Sequence, residues 1–171
     1  MKDVRPTSGR VLLALFSILG DMEGLSFLDL FAGTGRVGLE AVKRGAHPVV
    51  WVESLRPRAQ AIEREAHDEE NIVLSLELRR AVAWLSKRGR TFDIIFADPP
   101  YHEGWGGELL NVKGLEGLLA PEGVFVVEHS VREPLTLTPA WELTSERDYG
   151  ETRLSLLRLP HIISSRPFVV I

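Results

Sequence analysis

Short, almost continuously apolar runs recur along the chain, and longer segments with apolar residues at every third or fourth position separate them. Runs of this kind, rich in β-branched and aromatic residues, are typical of strands that a parallel sheet buries on both faces. We predict five such strands, at Phe27–Phe31, Val49–Glu53, Ile72–Leu76, Phe92–Ala97 and Val124–Glu128.

The segments between the runs are predicted to be helices. Thr7 or Ser8 provides a polar cap for the first, and Ser54 caps a later one that carries Pro57 in its first turn. The helices are predicted from that first cap to about Leu19, over Arg36–Arg44, after Ser54 with Ala59, Ile62 and Ala66 on one face, over Leu78–Lys87 and over Gly107–Leu119.

This alternation of strands and helices predicts an α/β fold with a doubly wound parallel sheet. The end of the chain has a different pattern. There, Trp141–Asp148 and Thr152–Leu159 flank the turn residues Tyr149-Gly150-Glu151, which predicts an antiparallel hairpin.

Length and composition are those of one globular domain. The 171 residues are 44% hydrophobic and 26% charged, so we expect a single domain over 1–171, with a helical segment at 1–24 and a tail at 160–171. No run reaches the ~20 apolar residues of a membrane span, and the start has no signal-peptide core, which predicts a cytoplasmic protein without a membrane partner. Cysteine is absent, which excludes disulfides, thiolate zinc sites and cysteine nucleophiles.

Charge and side-chain chemistry narrow the class of partner. The formal net charge is −4, whereas dedicated nucleic-acid binders are usually basic. Five scattered histidines without helical i, i+4 pairing predict no metal site. Arginines outnumber lysines and there are few asparagines and glutamines, which is a tendency of thermophile proteins.

A glycine-rich loop follows the first predicted strand. Gly33, Gly35 and Gly38 satisfy the G-x-G-x-x-G spacing, and Glu53 stands 20 residues after Gly33 at the end of the second strand. A strand before, a helix after and an acid at the next strand end predict a bound nucleotide-type ligand, with the acid accepting from ribose hydroxyls. Asp29 precedes the loop, and its carboxylate would repel a diphosphate and suit an ammonium group, such as that of S-adenosylmethionine.

A second motif, Asp98-Pro99-Pro100-Tyr101, follows the fourth predicted strand. The prolines stiffen the loop and remove two amide donors, which leaves the Pro99 carbonyl for another partner. Asp98 follows the carboxyl end of a strand, where open α/β sheets bind ligands. A carboxylate and a fixed carbonyl can bind the N–H groups of a planar amine while the aromatic ring stacks on the base, so the motif predicts a substrate of that kind.

These motifs resemble those of known enzymes. Asp29–Gly38 resembles the cofactor motif of class I S-adenosylmethionine-dependent methyltransferases, and Asp98–Tyr101 resembles the D/N-P-P-Y/F signature of enzymes that methylate exocyclic amines of bases or glutamine amides. Over about residues 4–159 the chain more narrowly resembles the bacterial 16S rRNA guanine-N2 methyltransferases of the RsmD family. The matching segments are Arg5–Ser8, Arg10-Val11, Ala14–Phe16, Leu28–Gly35, Gly38–Ala41, Arg44–Ala46, Asp98–Tyr101 and Val126–His129.

The resemblance implies a Rossmann-like, seven-stranded mixed sheet in the order 3-2-1-4-5-7-6. It implies methyl transfer from S-adenosylmethionine to N2 of a guanine in 16S rRNA by a bacterial enzyme. We expect a monomer without a metal. Because a chain of net charge −4 can neutralise few phosphates, we expect it to act on the small ribosomal subunit or an assembly intermediate. The implied catalytic residues are Asp98, Pro99, Pro100 and Tyr101, and the implied cofactor-binding residues are Asp29, Phe31, Ala32, Gly33, Thr34, Gly35, Glu53 and Ser54.

Three departures from the family pattern affect these expectations. Only Met1–Val4 precede R-P-T, where the family carries a basic segment, and Gly9 stands where the family prefers an acidic residue. After the third strand the family offers an acidic residue near the cofactor adenine. In this chain the third strand is followed by Ser75–Arg80, so we expect the adenine to be contacted by Glu77, by the backbone or by apolar side chains alone.

Other functions stay open on the residues alone. A DNA adenine or protein glutamine methyltransferase would share both motifs, although we expect a DNA enzyme to carry a target-recognition domain. An NAD-dependent oxidoreductase would explain only the glycine loop, and a non-catalytic ribosome-assembly factor would keep the fold and lose the cofactor. Trp105 either stacks on a base or packs under its loop. For His129, a surface or loop position is favoured over a substrate contact.

Overall fold

The computed structural model describes residues 8–161, which form seven strands and five α-helices. The strands are β1 (Phe27–Asp29), β2 (Val49–Val52), β3 (Ile72–Leu74), β4 (Phe92–Ala97), β5 (Leu119–Ser130), β6 (Glu142–Tyr149) and β7 (Thr152–Arg158). The helices are α1 (Gly9–Leu19), α2 (Arg36–Lys43), α3 (Arg56–Glu65), α4 (Leu78–Lys87) and α5 (Trp105–Glu108), with 3₁₀ turns at Leu109–Asn111 and Glu116–Leu118.

The seven strands form one mixed sheet in the order β3-β2-β1-β4-β5-β7-β6, which confirms the expected order and fold class. The first five strands pair in parallel, whereas β7 is antiparallel to both β5 and β6. The predicted hairpin is confirmed as well. Tyr149 pairs with Thr152, and the tight turn between them places Gly150 at a φ of 62°.

Apolar side chains cover both faces of the sheet. On one face Leu15 of α1 packs in a cluster with Phe27 and Trp51. On the other face Leu85 of α4 packs in a cluster with Phe125. Burial on both faces explains why the central strands are mostly apolar. Polar side chains gather at the carboxyl ends of these strands.

The predicted helix over Gly107–Leu119 is wrong. The chain there forms the single turn of α5 and two 3₁₀ turns, because Gly114 takes a φ of 87° that a right-handed helix does not allow. Strand β5 begins at Leu119, earlier than the predicted Val124, and the register with β4 shifts between Phe92 and Ile94. The apolar pattern after Gly107 therefore packs as turns against the α4 face.

The predicted cap at Ser54 is also wrong. The N-cap of α3 is Leu55, which has no side-chain cap, and the Leu55 amide donates to Oε2 of Glu53 at 2.7 Å. A carboxylate rather than a serine hydroxyl thus accepts from an amide at the start of α3. Pro57 lies in the first turn as expected.

The remaining expectations concern the ends of elements and of the chain. Ser8 caps α1, since its Oγ accepts from the Val11 amide at 3.2 Å. Strands β1, β2 and β3 end one or two residues before their predicted ends. The alternative cap Thr7 and most of the predicted tail lie outside the described residues. Within 8–161 no helix has the length and apolar character needed to cross a membrane.

Candidate functional site

A cavity of about 1110 Å³ opens at the carboxyl ends of the parallel strands, where the order of an open α/β sheet favours ligand binding. It joins the two motifs that the sequence analysis singled out. The predicted site residues that line it are Asp29, Phe31, Ala32, Gly33, Thr34, Glu53, Ser54, Asp98, Pro99, Pro100 and Tyr101. Gly35 alone among the predicted site residues is not part of the lining.

Gly35 shapes the loop by its backbone. It is the N-cap of α2 with a φ of 78°, and a Cβ at this position would come within 2.7 Å of the Ile62 side chain. Its carbonyl accepts from Nε1 of the buried Trp51 at 3.1 Å. A larger residue would therefore both strain the turn and push α3 away from α2.

Glu53 ties the glycine loop to the turn after β2. Its side chain is buried, Oε1 accepts from the Gly33 amide at 3.0 Å, and Oε2 accepts from the Leu55 amide at 2.7 Å. A carboxylate has about four acceptor positions, so these two contacts leave capacity for a ligand hydroxyl. The acid at the end of the second strand thus fixes the loop in addition to facing the cavity.

Asp29 is a strongly perturbed acid at the cavity. It is 1% exposed, and its pKa is raised to about 7, mainly by burial and also by the negative charges of Glu53 and Glu128, against hydrogen bonds from the Phe31 and Gly38 backbone. Its Oδ1 is buried and has no hydrogen-bond partner among the described residues. A cationic ligand would relieve both the repulsion and the unpaired oxygen.

The Asp98–Tyr101 loop forms the opposite wall of the cavity. Strand β4 ends at Ala97, Pro99 is buried, and Asp98 and Tyr101 are half-buried at the cavity surface. The loop is tied to the segment after β5, because Oε1 of Glu133 accepts from the His102 amide at 3.0 Å and lies 3.2 Å from Nδ1 of that histidine.

An aromatic pair forms another part of the wall. Trp105 packs edge-on against Phe31, with ring centres 5.2 Å apart, and the Arg79 guanidinium lies 5.0 Å from the centre of the tryptophan ring. Trp105 therefore lines the cavity while packing against the glycine loop, and it combines features of both alternatives stated for it. Glu77 also lines the cavity, but one of its oxygens accepts from the Arg79 amide at 3.1 Å and caps α4.

Glu128 is a cavity residue that the sequence analysis did not select. It is 5% exposed and ends the apolar part of β5. A charged residue directly after Val126-Val127, on a strand predicted to end at the ligand edge, was the available signal. His129 does not line the cavity, and the expected surface or loop position is wrong. The residue is buried within β5, where its Nε2 lies 2.7 Å from Oγ of the buried Ser155.

The described residues also include side chains of the kinds that bind metal ions. Within residues 8–161 no group of three or more histidine, aspartate or glutamate side chains is arranged to hold a metal ion.

The chain is similar to known proteins in sequence and in fold. The family model described as conserved hypothetical protein 95 matches residues 1–158. Ribosomal RNA small subunit methyltransferase D of Escherichia coli K12 is 32% identical over 155 residues, which are 90% of this chain and 78% of that protein. The structure of YhhF from Escherichia coli is 28% identical, with a TM-score of 0.78 and coverage of 94% of this chain and 92% of that one.

A fourth similarity concerns the fold alone. The Thermus thermophilus 16S rRNA N2 G1207 methyltransferase RsmC, solved in complex with AdoMet and guanosine, has a TM-score of 0.67 at 24% identity. The match covers 93% of this chain and 44% of that protein.

Proposed function

Because the chain belongs to the family of ribosomal RNA small subunit methyltransferase D, we propose that it transfers the methyl group of S-adenosylmethionine to N2 of a guanine in 16S rRNA. The observation that carries this proposal is the single cavity in which buried carboxylates of the glycine-loop side face the Asp98–Tyr101 loop. The buried carboxylates suit a cationic cofactor, and the Asp98–Tyr101 loop suits a planar amine.

Charge supports S-adenosylmethionine over a dinucleotide. Asp29, Glu53 and Glu128 are all buried at the cavity, so a diphosphate would add negative charge to an acidic site. S-adenosylmethionine carries an ammonium and a sulfonium, and the unpaired Oδ1 of Asp29 is the acceptor that we assign to the ammonium. We assign the ribose hydroxyls to Glu53, and the backbone contacts to Phe31, Ala32, Gly33, Thr34 and Ser54.

The side of the cavity formed by the Asp98–Tyr101 loop, here called the acceptor half, aligns the base amine with the cofactor. When bound, S-adenosylmethionine supplies a methyl group that its sulfonium already activates. Asp98 and the Pro99 carbonyl accept hydrogen bonds from the two N–H groups of the base amine, which favours a pyramidal nitrogen whose lone pair faces the cofactor side. Pro100 stiffens the loop and Tyr101 stacks on the base, which must leave the RNA stack to enter the cavity.

Proximity and proton release complete the proposal. Holding the two reactants in line can supply ~7–11 kcal/mol of the barrier. The methylated nitrogen is a strong acid, so its proton leaves after transfer and no side chain has to remove it beforehand.

Surface charge supports an assembled subunit as the substrate. Arg132 pairs with Glu151 at 2.9 Å, and Arg153 pairs with Asp148 at 2.7 Å, so part of the basic surface is already neutralised in a chain of net charge −4. We propose that a monomer, without a metal, acts on the small ribosomal subunit or an assembly intermediate, which implies a cytoplasmic enzyme. We expect kcat/KM on isolated subunits to exceed that on protein-free rRNA at ~0.15 M salt, and equal values would contradict this.

Two measurements separate the proposal from its rivals. Calorimetry should show binding of S-adenosylhomocysteine and none of NAD, whereas an oxidoreductase would give the reverse. Small subunits from a strain that lacks the modification should take up label from methyl-labelled S-adenosylmethionine. A non-catalytic assembly factor would bind the subunits and transfer no label.

A further inference from the structure

Glu128 is a buried acid that the proposed methyl transfer does not use. It ends the apolar stretch of β5, is 5% exposed, and lines the same cavity as the Asp98–Tyr101 loop. An acid in such a position at a ligand cavity is therefore a candidate for substrate recognition.

The strand register brings Glu128 next to the proposed catalytic loop. Phe96 pairs with Val126 and Ala97 pairs with Val127 in the parallel β4–β5 ladder, so the next residues, Asp98 and Glu128, are neighbours at the carboxyl ends of adjacent strands. On the other side of β5, Glu128 pairs with Leu154 of β7. Its position is thus set by two ladders.

The same register separates Glu128 from the ribose side of the cavity. Strands β1 and β4 lie between β2, which Glu53 follows, and β5. At a spacing of about 4.8 Å per strand, three steps make roughly 14 Å. Glu128 therefore belongs to the half of the cavity that the target base occupies in the proposed function, on which this inference rests.

The Watson–Crick edge of guanine presents two neighbouring donors, N1–H and the N2 amine. Adenine and cytosine present an acceptor nitrogen in the ring at the corresponding place. With the N2 amine bound by Asp98 and Pro99, the adjacent N1–H needs an acceptor beside that loop. We propose that Glu128 accepts the hydrogen bond from N1–H of the target guanine and thereby selects guanine over bases whose ring nitrogen carries no hydrogen.

Discrimination follows from the charge of the acceptor. A carboxylate offers about four acceptor positions, so Glu128 can keep its contacts within the protein and still bind N1–H. A ring nitrogen without hydrogen would direct its lone pair at the carboxylate. Sites built around a buried polar contact reject analogues that lack the matching group by large factors, up to about 10⁴–10⁵.

The Glu128→Gln variant tests this, because a glutamine amide can either accept from N1–H or donate to a bare ring nitrogen. With the full chain saturated with S-adenosylhomocysteine, the dissociation constants of guanosine and of 2-aminopurine riboside are measured for both proteins. The second nucleoside keeps the amine and lacks N1–H. Wild type should prefer guanosine by at least about tenfold, and E128Q should reduce that preference to within about threefold.

Transfer to the subunit provides a second readout. E128Q should lower kcat/KM on unmodified small subunits at least about tenfold while the affinity for S-adenosylhomocysteine changes less than threefold. The matched control is Glu122→Gln, the same change at the exposed start of β5, which should behave as wild type.

Each result decides the proposal. A loss of affinity for both nucleosides in parallel would show that Glu128 acts only on the fold, and an unchanged rate on subunits would show that it does not bind the target base. Either result would overturn the assignment. Failure of wild type to methylate guanine in subunits would instead overturn the proposed function itself, so the two failures are distinguishable.

Discussion

The glycine loop and the Asp98–Tyr101 loop face one cavity but are held in different ways. From a buried position, Glu53 accepts one hydrogen bond from the glycine loop and one from the turn after β2, and so ties the two together. The other loop is tied to the segment after β5 by Glu133 and by His102, whose side chain is 91% exposed. Buried hydrogen bonds are strong and exposed pairs are worth about 0–1 kcal/mol. We therefore expect the glycine-loop side of the cavity, the cofactor half, to be rigid. We expect the acceptor half to be more adjustable.

Removing the Asp98 carboxylate should have the largest effect and should act on the acceptor half alone. We expect Asp98→Ala to lower kcat on small subunits at least ~10³-fold, because the amine loses both alignment and an acceptor. The affinity for S-adenosylhomocysteine should change by less than about tenfold, or ~1.4 kcal/mol. Asp98→Asn, which keeps one acceptor oxygen, should retain more activity. Loss of cofactor binding together with activity would contradict the division of the cavity.

Truncating Glu53 should act on the cofactor half. Glu53→Ala leaves the Gly33 and Leu55 amides without their acceptor, at a cost of about 1–3 kcal/mol each, so we expect S-adenosylhomocysteine binding to weaken about 10–100-fold. Glu53→Gln keeps one oxygen and should weaken binding less. Calorimetry measures both, with the exposed Glu63→Ala as control. Equal losses of S-adenosylhomocysteine affinity in the two variants would contradict the role of Glu53 as a hydrogen-bond acceptor.

The pH dependence of cofactor binding should depend on Asp29. Its pKa is raised to about 7 by burial, so a cationic ligand must displace a proton from it at lower pH. Affinity for S-adenosylmethionine should rise about tenfold from pH 5.5 to 7, within the range where the ligand ammonium, with a pKa of about 7.7–8.0, stays protonated. Asp29→Asn should bind more weakly and show little pH dependence. A wild-type affinity that is flat over this range would exclude the assigned contact.

The raised pKa of Asp29 also determines whether the stability of the ligand-free protein rises or falls with pH. The folded protein keeps the Asp29 proton up to about pH 7, whereas the unfolded chain releases it near pH ~4. This contribution to stability is therefore fully present below the unfolded pKa and is lost as the pH rises through about 7. The rise of ligand affinity with pH thus runs against the stability of the free protein.

The smallest effect should come from the exposed tie of the acceptor loop. Glu133→Ala removes the partner of His102, and an exposed pair of this kind is worth about 0–1 kcal/mol. We expect kcat/KM on subunits to fall at most about fivefold, with cofactor affinity unchanged. A loss comparable to that of Asp98→Ala would mean that the loop is held as firmly as the glycine loop.

Sequence patterns predicted the parts of the molecule in which local and tertiary requirements agree. The doubly wound sheet, the hairpin around Gly150 and the cavity between the glycine loop and Asp98–Tyr101 followed from strand periodicity and from the resemblance. The helix over Gly107–Leu119 failed because Gly114 overrides an apolar spacing that fits several structures.

The missed details depend on how segments assemble in the folded chain. The Leu55 amide at the start of α3 donates to Glu53, an acid that the ligand pattern had already assigned to a ribose. Glu128 reaches the cavity only because the register places it beside Asp98. The charge at position 128 was a signal for a polar residue at the ligand edge, but its neighbour depends on how the β4–β5 pair assembles. The contact of Glu53 with Leu55 likewise depends on the turn after β2.

The central claim is that the two halves of the cavity join S-adenosylmethionine to the N2 amine of a guanine. Small subunits that lack the modification are incubated with the enzyme and methyl-labelled S-adenosylmethionine, and the RNA is digested to nucleosides and identified by mass spectrometry. The account predicts label in N2-methylguanosine with wild type and none with Asp98→Ala. Label in N6-methyladenosine, in a glutamine of a ribosomal protein, or in no product at all would contradict it.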